Sequence, residues 1–307
     1  MSFSSEAKAE LCAARHEKHC CTLAECYGIL LYCSVFTPQE IRIVTGSEEF
    51  AAELPRLFKR AFGVSFDKLP REGGSGRKSF AITDGAKLES VLTAFGAERD
   101  AMLAHHINFA CLENDCCRIA FARGAFLAGG SVTDPEKSFH LELATSHLSV
   151  SREMHSLLLE LGFSPREASR AGNALLYFKQ ADQIADMLTA LGASSAAMQL
   201  MTAKVEREMR NTITRRVNCD SANADKTVAA AQEQLDAIKR LVQEYGIDAL
   251  PEPLRDTALL RIANPAASLA DLAMLSFPPV SKSCLSHRLH RLMEYAEALE
   301  KEKERTK

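Results

Sequence analysis

The chain has 307 residues, of which 47% are hydrophobic and 25% are charged, and this balance is typical of a globular protein with room for two domains. No stretch approaches the roughly 18 consecutive apolar residues of a membrane-spanning helix, and the first residues lack the apolar core of a signal peptide. The net charge of -3 provides no overall basic field that would attract nucleic acid. We therefore expect a cytoplasmic protein with no membrane partner, in which contacts with nucleic acid come from local basic patches.

The ten cysteines are expected to be reduced, because the chain is long and shows no export signal. Two vicinal pairs, Cys20–Cys21 and Cys116–Cys117, raise the question of a metal site. Neither pair has the two-residue gap with which two thiolates usually hold one zinc ion, and no second CxxC or HxxxH arm follows. Neither a Walker loop nor a GxGxxG motif occurs. We expect no metal and no cofactor, and interpret the paired cysteines as small buried hydrophobic residues.

An internal repeat organises the first two hundred residues. The segment CCTLAECYGILLYCSV, beginning at Cys20, matches CCRIAFARGAFLAGGSV, beginning at Cys116, at an offset of 96 residues. Near the ends of the two copies, LTAFGA matches LTALGA at the same offset. We interpret residues 20–97 and 116–193 as the halves of a duplicated unit within a domain of residues 1–200.

Each half is predicted to follow the same order of elements: helix, strand, helix, hairpin, helix. The strands lie in EIRIVTGS and FHLELATS, where apolar residues alternate. The first hairpin surrounds the loop REGGSGRK, and the second surrounds Gly172-Asn173. The predicted helices lie at about 23–34, 47–62 and 85–95 in the first half, and at about 120–130, 149–161 and 181–191 in the second. This order predicts a pseudo-twofold α+β domain with a curved mixed sheet.

The opening helix of each half carries a recognisable motif. Gly124-Ala-Phe-Leu-Ala-Gly-Gly-Ser131 resembles the LAGLIDADG motif of homing endonucleases, and Gly28–Val35 resembles a degenerate copy. The resemblance implies two helices that pack at the pseudo-dyad through small residues, each ending in an acid that holds a divalent metal for phosphodiester hydrolysis. This chain has Cys33 and Gly129 at those positions, and neither can coordinate magnesium. The nearest acids lie outside the motif: Glu25 and Asp134. We therefore expect a protein that is not an enzyme and has no catalytic residues.

Residues 201–245 are predicted to form a basic helical linker of one or two helices, because the segment contains no proline or glycine. Three of its arginines are expected to contact DNA phosphates: Arg210, Arg215 and Arg216. A solvated amphipathic linker is the alternative interpretation. The block MRNTITRRVNCDSANADKT resembles the MRNxxNRxxNCDxANxxKT block of the WhiA family of bacterial regulators, with Thr214 where that family usually has Asn.

Residues 246–307 are predicted to form an all-α helix-turn-helix domain of three helices. Pro253 opens the first helix and Asn264-Pro265 ends it. Ser268 caps the second helix, and the turn FPPVS leads to a third helix that is capped by Ser281 or Ser283. The inward-facing leucines are expected to be Leu269, Leu272 and Leu275 on the second helix and Leu285, Leu289 and Leu292 on the third.

The third helix presents a polar and basic face opposite its leucines. The DNA-contacting residues predicted on this helix are Lys282, Ser283, Ser286, His287 and Arg291, together with Arg288 on its flank. In a helix-turn-helix, such a face enters the major groove. An ordinary three-helix bundle with a charged surface is the alternative. PPVSKSCLSHRLHRL resembles the C-terminal module of the WhiA family, which is similar to the DNA-binding region of sigma factors, and Cys284-Leu285-Ser286 replaces the more usual Gly-Val-Asn.

The resemblance to the WhiA family covers nearly the whole chain. It implies a transcription regulator that binds double-stranded DNA in the nucleoid, with a role in sporulation where that occurs and otherwise in cell division and chromosome segregation. Another transcription regulator or RNA polymerase is the protein partner to be expected. The residues alone predict less: a catalytically emptied, pseudo-symmetric DNA-binding fold that a basic helix joins to a helix-turn-helix.

Two other functions remain open from the sequence. A divalent-metal endonuclease is disfavoured by Cys33 and Gly129. A sensing module would bind a protein or small ligand through its repeat domain and touch DNA only through its C-terminal domain. The loop with Arg71, Arg77 and Lys78 around three glycines bears on this choice, because it is a candidate phosphate contact of the repeat domain. A mobile solvated loop is the alternative interpretation.

Overall fold

The computed structural model describes four stretches of the chain: residues 2–14, 18–70, 76–96 and 105–305. They form two compact units, Met1–Glu208 and Met209–Lys307. Each unit has a hydrophobic core of its own. Among the described residues, no helix combines the length and apolar character needed to cross a membrane.

The first unit combines helices with two small sheets. Its described helices are α1 (Phe3–Ala13), α2 (His19–Tyr32), α3 (Glu48–Phe62), α4 (Gly85–Thr93), α5 (Asp115–Gly129), α6 (Leu148–Glu160) and α7 (Ala181–Leu191). Its described strands are β1 (Val35–Phe36), β2 (Ile41–Thr45), β3 (Lys78–Ile82), β4 (Gly130–Val132), β5 (Leu141–Thr145), β6 (Arg166–Arg170) and β7 (Asn173–Phe178). The strand orders are β1-β2-β3 and β4-β5-β7-β6.

The duplication predicted from the 96-residue offset is confirmed. The order α2-β1-β2-α3-β3-α4 in the first half returns as α5-β4-β5-α6-β6-β7-α7 in the second. The predicted hairpin of the second half is present, and its turn contains Ala171 and Gly172, both with positive φ, as tight hairpin turns require. Helix α1, which precedes the first copy, was not expected from the sequence.

Two details of the predicted sheet are wrong. The structure has one sheet per half instead of a single mixed sheet, and every described strand pair is antiparallel. The segment between Phe36 and Ile41 explains part of this, because it is far too short for the crossover that parallel strands need. The first strand of the first predicted hairpin is reduced to one bridge between Lys68 and Ala81. Residues 71–75 of its loop, including Arg71, lie outside the described residues.

Helices α2 and α5 cross with their backbones in contact. A Cβ atom added to Gly28 would lie 2.0 Å from the carbonyl oxygen of Phe121, and one added to Gly124 would lie 1.9 Å from the carbonyl oxygen of Glu25. Each glycine thus meets the residue three positions before the other glycine, as a pseudo-twofold axis requires. The crossing has no room for any side chain, which confirms the predicted packing of the two motif helices through small residues.

The second unit is helical in its described part. It contains most of α8 (Ser194–Tyr245) together with α9 (Glu252–Ala263), α10 (Leu269–Leu275) and α11 (Lys282–Arg305). The three predicted helices are present, and Ser268 forms a capping box with Asp271 at the start of α10. The last turns of α8 complete the core with Ile238 and Leu241, so four helices build this core.

The predicted apolar positions of α10 are only partly confirmed. Leu272 is buried and Leu269 packs at the edge of the core, but Leu275 is 56% exposed. Because six residues turn an α-helix by about 240° beyond a full turn, Leu269 and Leu275 cannot share one face. The three leucines predicted as the buried stripe of α11 are all buried: Leu285, Leu289 and Leu292. Pro253 occupies the second position of α9, behind Glu252.

Candidate nucleic-acid interface

The turn between α10 and α11 is fixed by short-range hydrogen bonds. The Ser281 hydroxyl accepts a hydrogen bond from the Cys284 amide at 3.2 Å, so Ser281 caps α11. The Ser276 hydroxyl accepts one from the Val280 amide at 3.0 Å. With both ends of the turn held, α11 has a defined direction relative to α10, which a helix that enters a DNA groove needs.

The N-terminal half of α11 divides into a buried and an exposed face. Its leucines face the core, whereas five of the predicted DNA-contacting residues are exposed: Lys282, Ser283, Ser286, His287 and Arg291. Arg291 donates a long hydrogen bond of 3.4 Å to the Tyr295 hydroxyl. A single exposed bond of this length leaves the guanidinium able to rearrange toward a ligand.

Arg288, the sixth predicted residue on α11, has a different environment. It is half-buried and lines a cleft of about 300 Å³ together with Glu252 and Asp256 of α9. Arg288 therefore lies on the flank of α11, as predicted, on the side toward α9.

A second cleft of about 250 Å³, which was not predicted from the sequence, lies beside the start of α11. It is lined by Lys226 and Thr227 of α8, by Arg261 of α9 and by Lys282 of α11. Arg261 is buried and donates to the Ala267 carbonyl at 2.7 Å, whereas its Nε has no hydrogen-bond partner among the described residues. Burial lowers the pKa of Arg261. Three cationic side chains around one concavity form a pocket suited to an anion such as a phosphate. We call it the basic cleft.

The basic run at the start of the predicted linker separates into two groups. Lys204 is held by the first unit, with its ammonium 2.7 Å from the Asp182 carboxylate, and Arg207 stacks on the ring of Phe139 at 4.6 Å. The other group lies in the stretch 208–230, where every residue is exposed: Arg210, Arg215 and Arg216. The residues of this second group are exposed along α8, and their contact with DNA phosphates stays a prediction.

The predicted phosphate contacts of the first unit are less favourable. Arg77 is exposed. Lys78 forms an ion pair with the Glu48 carboxylate, which offsets its positive charge. Of the two described cations of this loop, Arg77 is therefore the better candidate for a phosphate contact, and Arg71 lies outside the described residues.

At the two motif positions that hold acids in homing endonucleases, this chain has no carboxylate that could bind a metal ion. The Cys33 thiol donates to the carbonyl oxygens of Leu30 and Val35, both at 3.1 Å, and burial raises its pKa to about 12. A Cβ atom on Gly129 would lie 2.4 Å from the Ala144 carbonyl oxygen and 2.9 Å from the Tyr32 ring. Gly129 therefore lacks both a carboxylate and the space for one.

The nearest acids serve the fold. Glu25 is 3% exposed and Arg123 is 6% exposed, and the Nε atom of Arg123 lies 3.1 Å from a carboxylate oxygen of Glu25, outside hydrogen-bond geometry. The same guanidinium donates to the carbonyl oxygens of Leu11 and Ala14 at the end of α1. Asp134 accepts a hydrogen bond from the Glu136 amide in its own turn, at 3.0 Å.

The two vicinal cysteine pairs meet in space. Cys20 and Cys21 lie in the first turn of α2, and Cys116 and Cys117 lie in the first turn of α5. The sulfur atoms of Cys20, Cys21 and Cys117 lie within 4.8 Å of one another. A hydrogen bond with the Cys21 thiol lowers the pKa of Cys116. Spacing along the chain could not reveal this cluster, whereas the repeat offset could have, because it gives the two pairs equivalent positions on helices that cross.

Comparison with known proteins agrees with these features. Residues 213–296 match the family model of the WhiA C-terminal HTH domain, and residues 118–210 match that of the WhiA LAGLIDADG-like domain. A protein of Ruminiclostridium cellulolyticum named "Probable cell division protein WhiA" is 34% identical over 313 residues, which cover 99% of this chain and all of that protein. The chain belongs to the WhiA family.

Other WhiA proteins support the same assignment along the full length. The "Probable cell division protein WhiA" of Heliobacterium modesticaldum is 36% identical over 312 residues, 98% of each chain. The crystal structure of full-length WhiA from Thermatoga maritima matches with a TM-score of 0.59 and 22% identity, over 97% of this chain and 99% of that one. The resemblance noted in the motif helix, the linker block and the C-terminal module is confirmed. The chain has the WhiA fold, a LAGLIDADG-like domain followed by a helical helix-turn-helix domain.

Proposed function

We propose that this WhiA-family chain is a non-enzymatic, DNA-binding transcription regulator that acts in cell division. The observation that carries the proposal is the exposed polar face at the start of α11, which includes Ser286 and His287 and lies opposite a fully buried leucine stripe. Such a helix, set at a defined turn after α10, is the part of a helix-turn-helix that reads base edges in the major groove. The names of the relatives supply the link to cell division.

Affinity and sequence preference are assigned to different parts of the second unit. The exposed arginines of α8, such as Arg215 and Arg216, would contact phosphates and so add affinity without base preference. The basic cleft around Lys226 and Lys282 would take a phosphate beside the start of α11 and thereby set how far that helix enters the groove. Base contacts then fall to Ser286 and His287.

The absence of catalysis is part of the same proposal. Hydrolysis of a phosphodiester by divalent metals needs carboxylates that neutralise the charge on the attacking and leaving oxygens. Cys33 and Gly129 stand at the motif positions in their place, and the space beside Gly129 is filled by Tyr32 and Ala144. The LAGLIDADG-like domain would then serve as a scaffold or as a further DNA contact through Arg77.

Four further parts of the proposed function rest on the resemblance to the WhiA family. We include in the proposal a role in sporulation where the organism forms spores, a role in chromosome segregation, a cytoplasmic and nucleoid-associated location, and a protein partner that is another transcription regulator or RNA polymerase. Each of these would follow from a regulator that binds promoters of division genes.

The proposal is tested by chromatin immunoprecipitation with sequencing on three versions of the chain: wild type, Ser286→Ala/His287→Ala, and the control Glu297→Gln. Glu297 is exposed on the same helix, well beyond its first turns. Wild type and control should occupy the same discrete promoters, and the double variant should lose them. Broad coating of DNA that the double variant leaves unchanged would contradict sequence-specific regulation through α11.

A further inference from the structure

Four thiols from the two halves of the repeat gather at one place in the first unit. Cys20, Cys21, Cys116 and Cys117, which we call the cysteine tetrad, occupy the second and third positions of α2 and α5. The Cys21 thiol interacts with Cys116, and the Cys20 thiol interacts with Cys117. The 96-residue offset exchanges these two pairs, so the tetrad shares the pseudo-twofold symmetry of the helices.

The spacing of the sulfur atoms suits a single metal ion. With zinc–sulfur bonds of about 2.3 Å, the sulfur atoms of a tetrahedral site lie about 3.8 Å apart. Three of the four sulfur atoms are already within 4.8 Å of one another, so a shift of about 1 Å or less per sulfur brings these three to the spacing of zinc ligands. The fourth thiol, Cys116, forms hydrogen bonds with Cys21 and Cys117. All the described cysteines are free thiols.

Adjacent cysteines can share an ion here because their sulfur atoms already lie close together in the folded protein. Side chains at neighbouring helix positions point about 100° apart, yet the sulfur atoms of Cys20 and Cys21 lie within 4.8 Å of each other. The objection drawn from spacing along the chain therefore does not apply to this geometry.

Burial raises the pKa of Cys21 to about 12 and that of Cys117 to about 11, so these thiols lose their protons only as an ion binds. The two helix ends at the tetrad favour the negatively charged metal–thiolate group that then forms. Four thiolates around a divalent cation carry a net charge of -2. Helix N-termini stabilise negative charge through their unpaired amide groups and their dipole, and two of them meet at the tetrad. Neither N-cap residue, Lys18 or Asn114, caps its helix with its side chain. The positive charge of Lys18 also acts on Cys116.

Burial divides the tetrad into an inner and an outer pair. Cys21 and Cys117 are 4% and 2% exposed, so packing holds their sulfur atoms in place. Cys20 and Cys116 are exposed and leave the cluster open toward solvent. An ion can therefore enter from the outside and find two of its ligands preorganised.

We propose that the cysteine tetrad binds one thiophilic divalent cation of the zinc class and that this ion joins the N-terminal ends of α2 and α5. Each thiol releases its proton to solvent as its sulfur binds the ion, and no electron is transferred. Four protein ligands complete the coordination sphere, so the ion is structural and has no open position for catalysis. The site is independent of the DNA-binding function proposed above.

The test uses the full-length, reduced protein and Co²⁺ as a spectroscopic probe for zinc. We expect one equivalent of Co²⁺ to bind with the visible absorption bands of a tetrahedral cobalt–thiolate site, and Zn²⁺ to abolish these bands by displacement. The variant Cys20→Ser/Cys116→Ser removes only the exposed ligands, so it should fold like wild type by circular dichroism and lose the bands. The matched control Cys219→Ser/Cys284→Ser removes two exposed cysteines of the second unit and should keep them.

A second measurement on wild type needs no variant. Alkylation followed by mass spectrometry should show that Zn²⁺ protects the cysteine tetrad and leaves Cys219 and Cys284 reactive. The proposal is overturned by wild-type protein that gives no tetrahedral cobalt bands, or by Cys20→Ser/Cys116→Ser protein that gives them unchanged. It is equally overturned if the isolated protein contains Cys20–Cys117 or Cys21–Cys116 disulfides and binds no Co²⁺ after reduction. The four cysteines would then form disulfides and not a metal site.

Discussion

At the scale of single residues, two kinds of DNA contact should be separable by substitution. Ser286 and His287 lie on the exposed face of α11, where a helix-turn-helix meets base edges. Replacing either by alanine should cost roughly 1–3 kcal/mol of binding free energy on the cognate site and relax the base preference there. Arg215→Ala should instead weaken binding equally on all sequences and reduce the slope of log K against log salt by about one unit, because one phosphate contact is lost.

Fluorescence anisotropy with cognate and unrelated duplexes over a range of salt concentrations measures both effects. Glu297→Gln serves again as the control on α11. An Arg215→Ala variant that changes base preference, or a His287→Ala variant that weakens all sequences equally, would reverse the assignment of these two residues.

The helix crossing allows a sharp stability test, also at the residue scale. A methyl group on Gly124 would overlap the carbonyl oxygen of Glu25, and backbone atoms cannot give way as a flexible side chain can. We expect Gly124→Ala to lower the free energy of unfolding of the first unit by about 3 kcal/mol or more. Gly46→Ala is the matched control, because a Cβ at Gly46 meets nothing within 4 Å. Urea unfolding followed by circular dichroism compares them, and equal stability of the two variants would contradict the crossing.

At the scale of elements, the motif helices explain why nuclease activity cannot be restored simply. We expect the purified protein to leave supercoiled DNA intact with Mg²⁺ or Mn²⁺. We also expect Cys33→Asp/Gly129→Asp to remain inactive and to be destabilised, since Tyr32 and Ala144 fill the space beside Gly129. A plasmid cleavage assay checks both. Metal-dependent cleavage by wild type that Glu25→Gln or Asp134→Asn abolishes would show that a different acid pair supports catalysis.

Some elements of the fold could be predicted from the sequence and others could not. Periodicity and the repeat were enough to predict α2, α5 and the β6–β7 hairpin, because each depends on local residues and on one offset. Strand pairing across each half depends on contacts between distant residues, so the predicted mixed sheet was wrong. The basic cleft escaped prediction for the same reason: Lys226, Arg261 and Lys282 come from three helices. The prediction of one or two helices in the linker is confirmed, because α8 is a single helix of 52 residues.

At the scale of the whole molecule, the second unit should work alone. Residues 209–307 contain a complete core and carry the exposed arginines of α8 as well as α11. We expect this fragment to fold and to bind cognate DNA within about tenfold of the full chain, a difference of about 1.4 kcal/mol or less. A fragment of residues 250–307 lacks Ile238 and Leu241 of the core and should not fold.

Circular dichroism and anisotropy on both fragments test this division. A folded fragment of residues 209–307 without sequence preference would place recognition in the repeat domain. That outcome would also contradict the sensing-module alternative, in which only the C-terminal domain touches DNA. Retained preference in that fragment would leave the first unit free for other interactions.

The buried pair of Glu25 and Arg123 has a consequence for the two halves of the repeat. Under the 96-residue offset, Glu25 corresponds to Phe121 and Arg123 corresponds to Tyr27, so each half carries one member of the pair and lacks the other. Two first halves joined together would bury a carboxylate without a guanidinium, and two second halves would bury a guanidinium without a carboxylate. Each mismatch costs about 3–5 kcal/mol. The pair therefore favours packing of a first half against a second half, and it disfavours a symmetric dimer of either half.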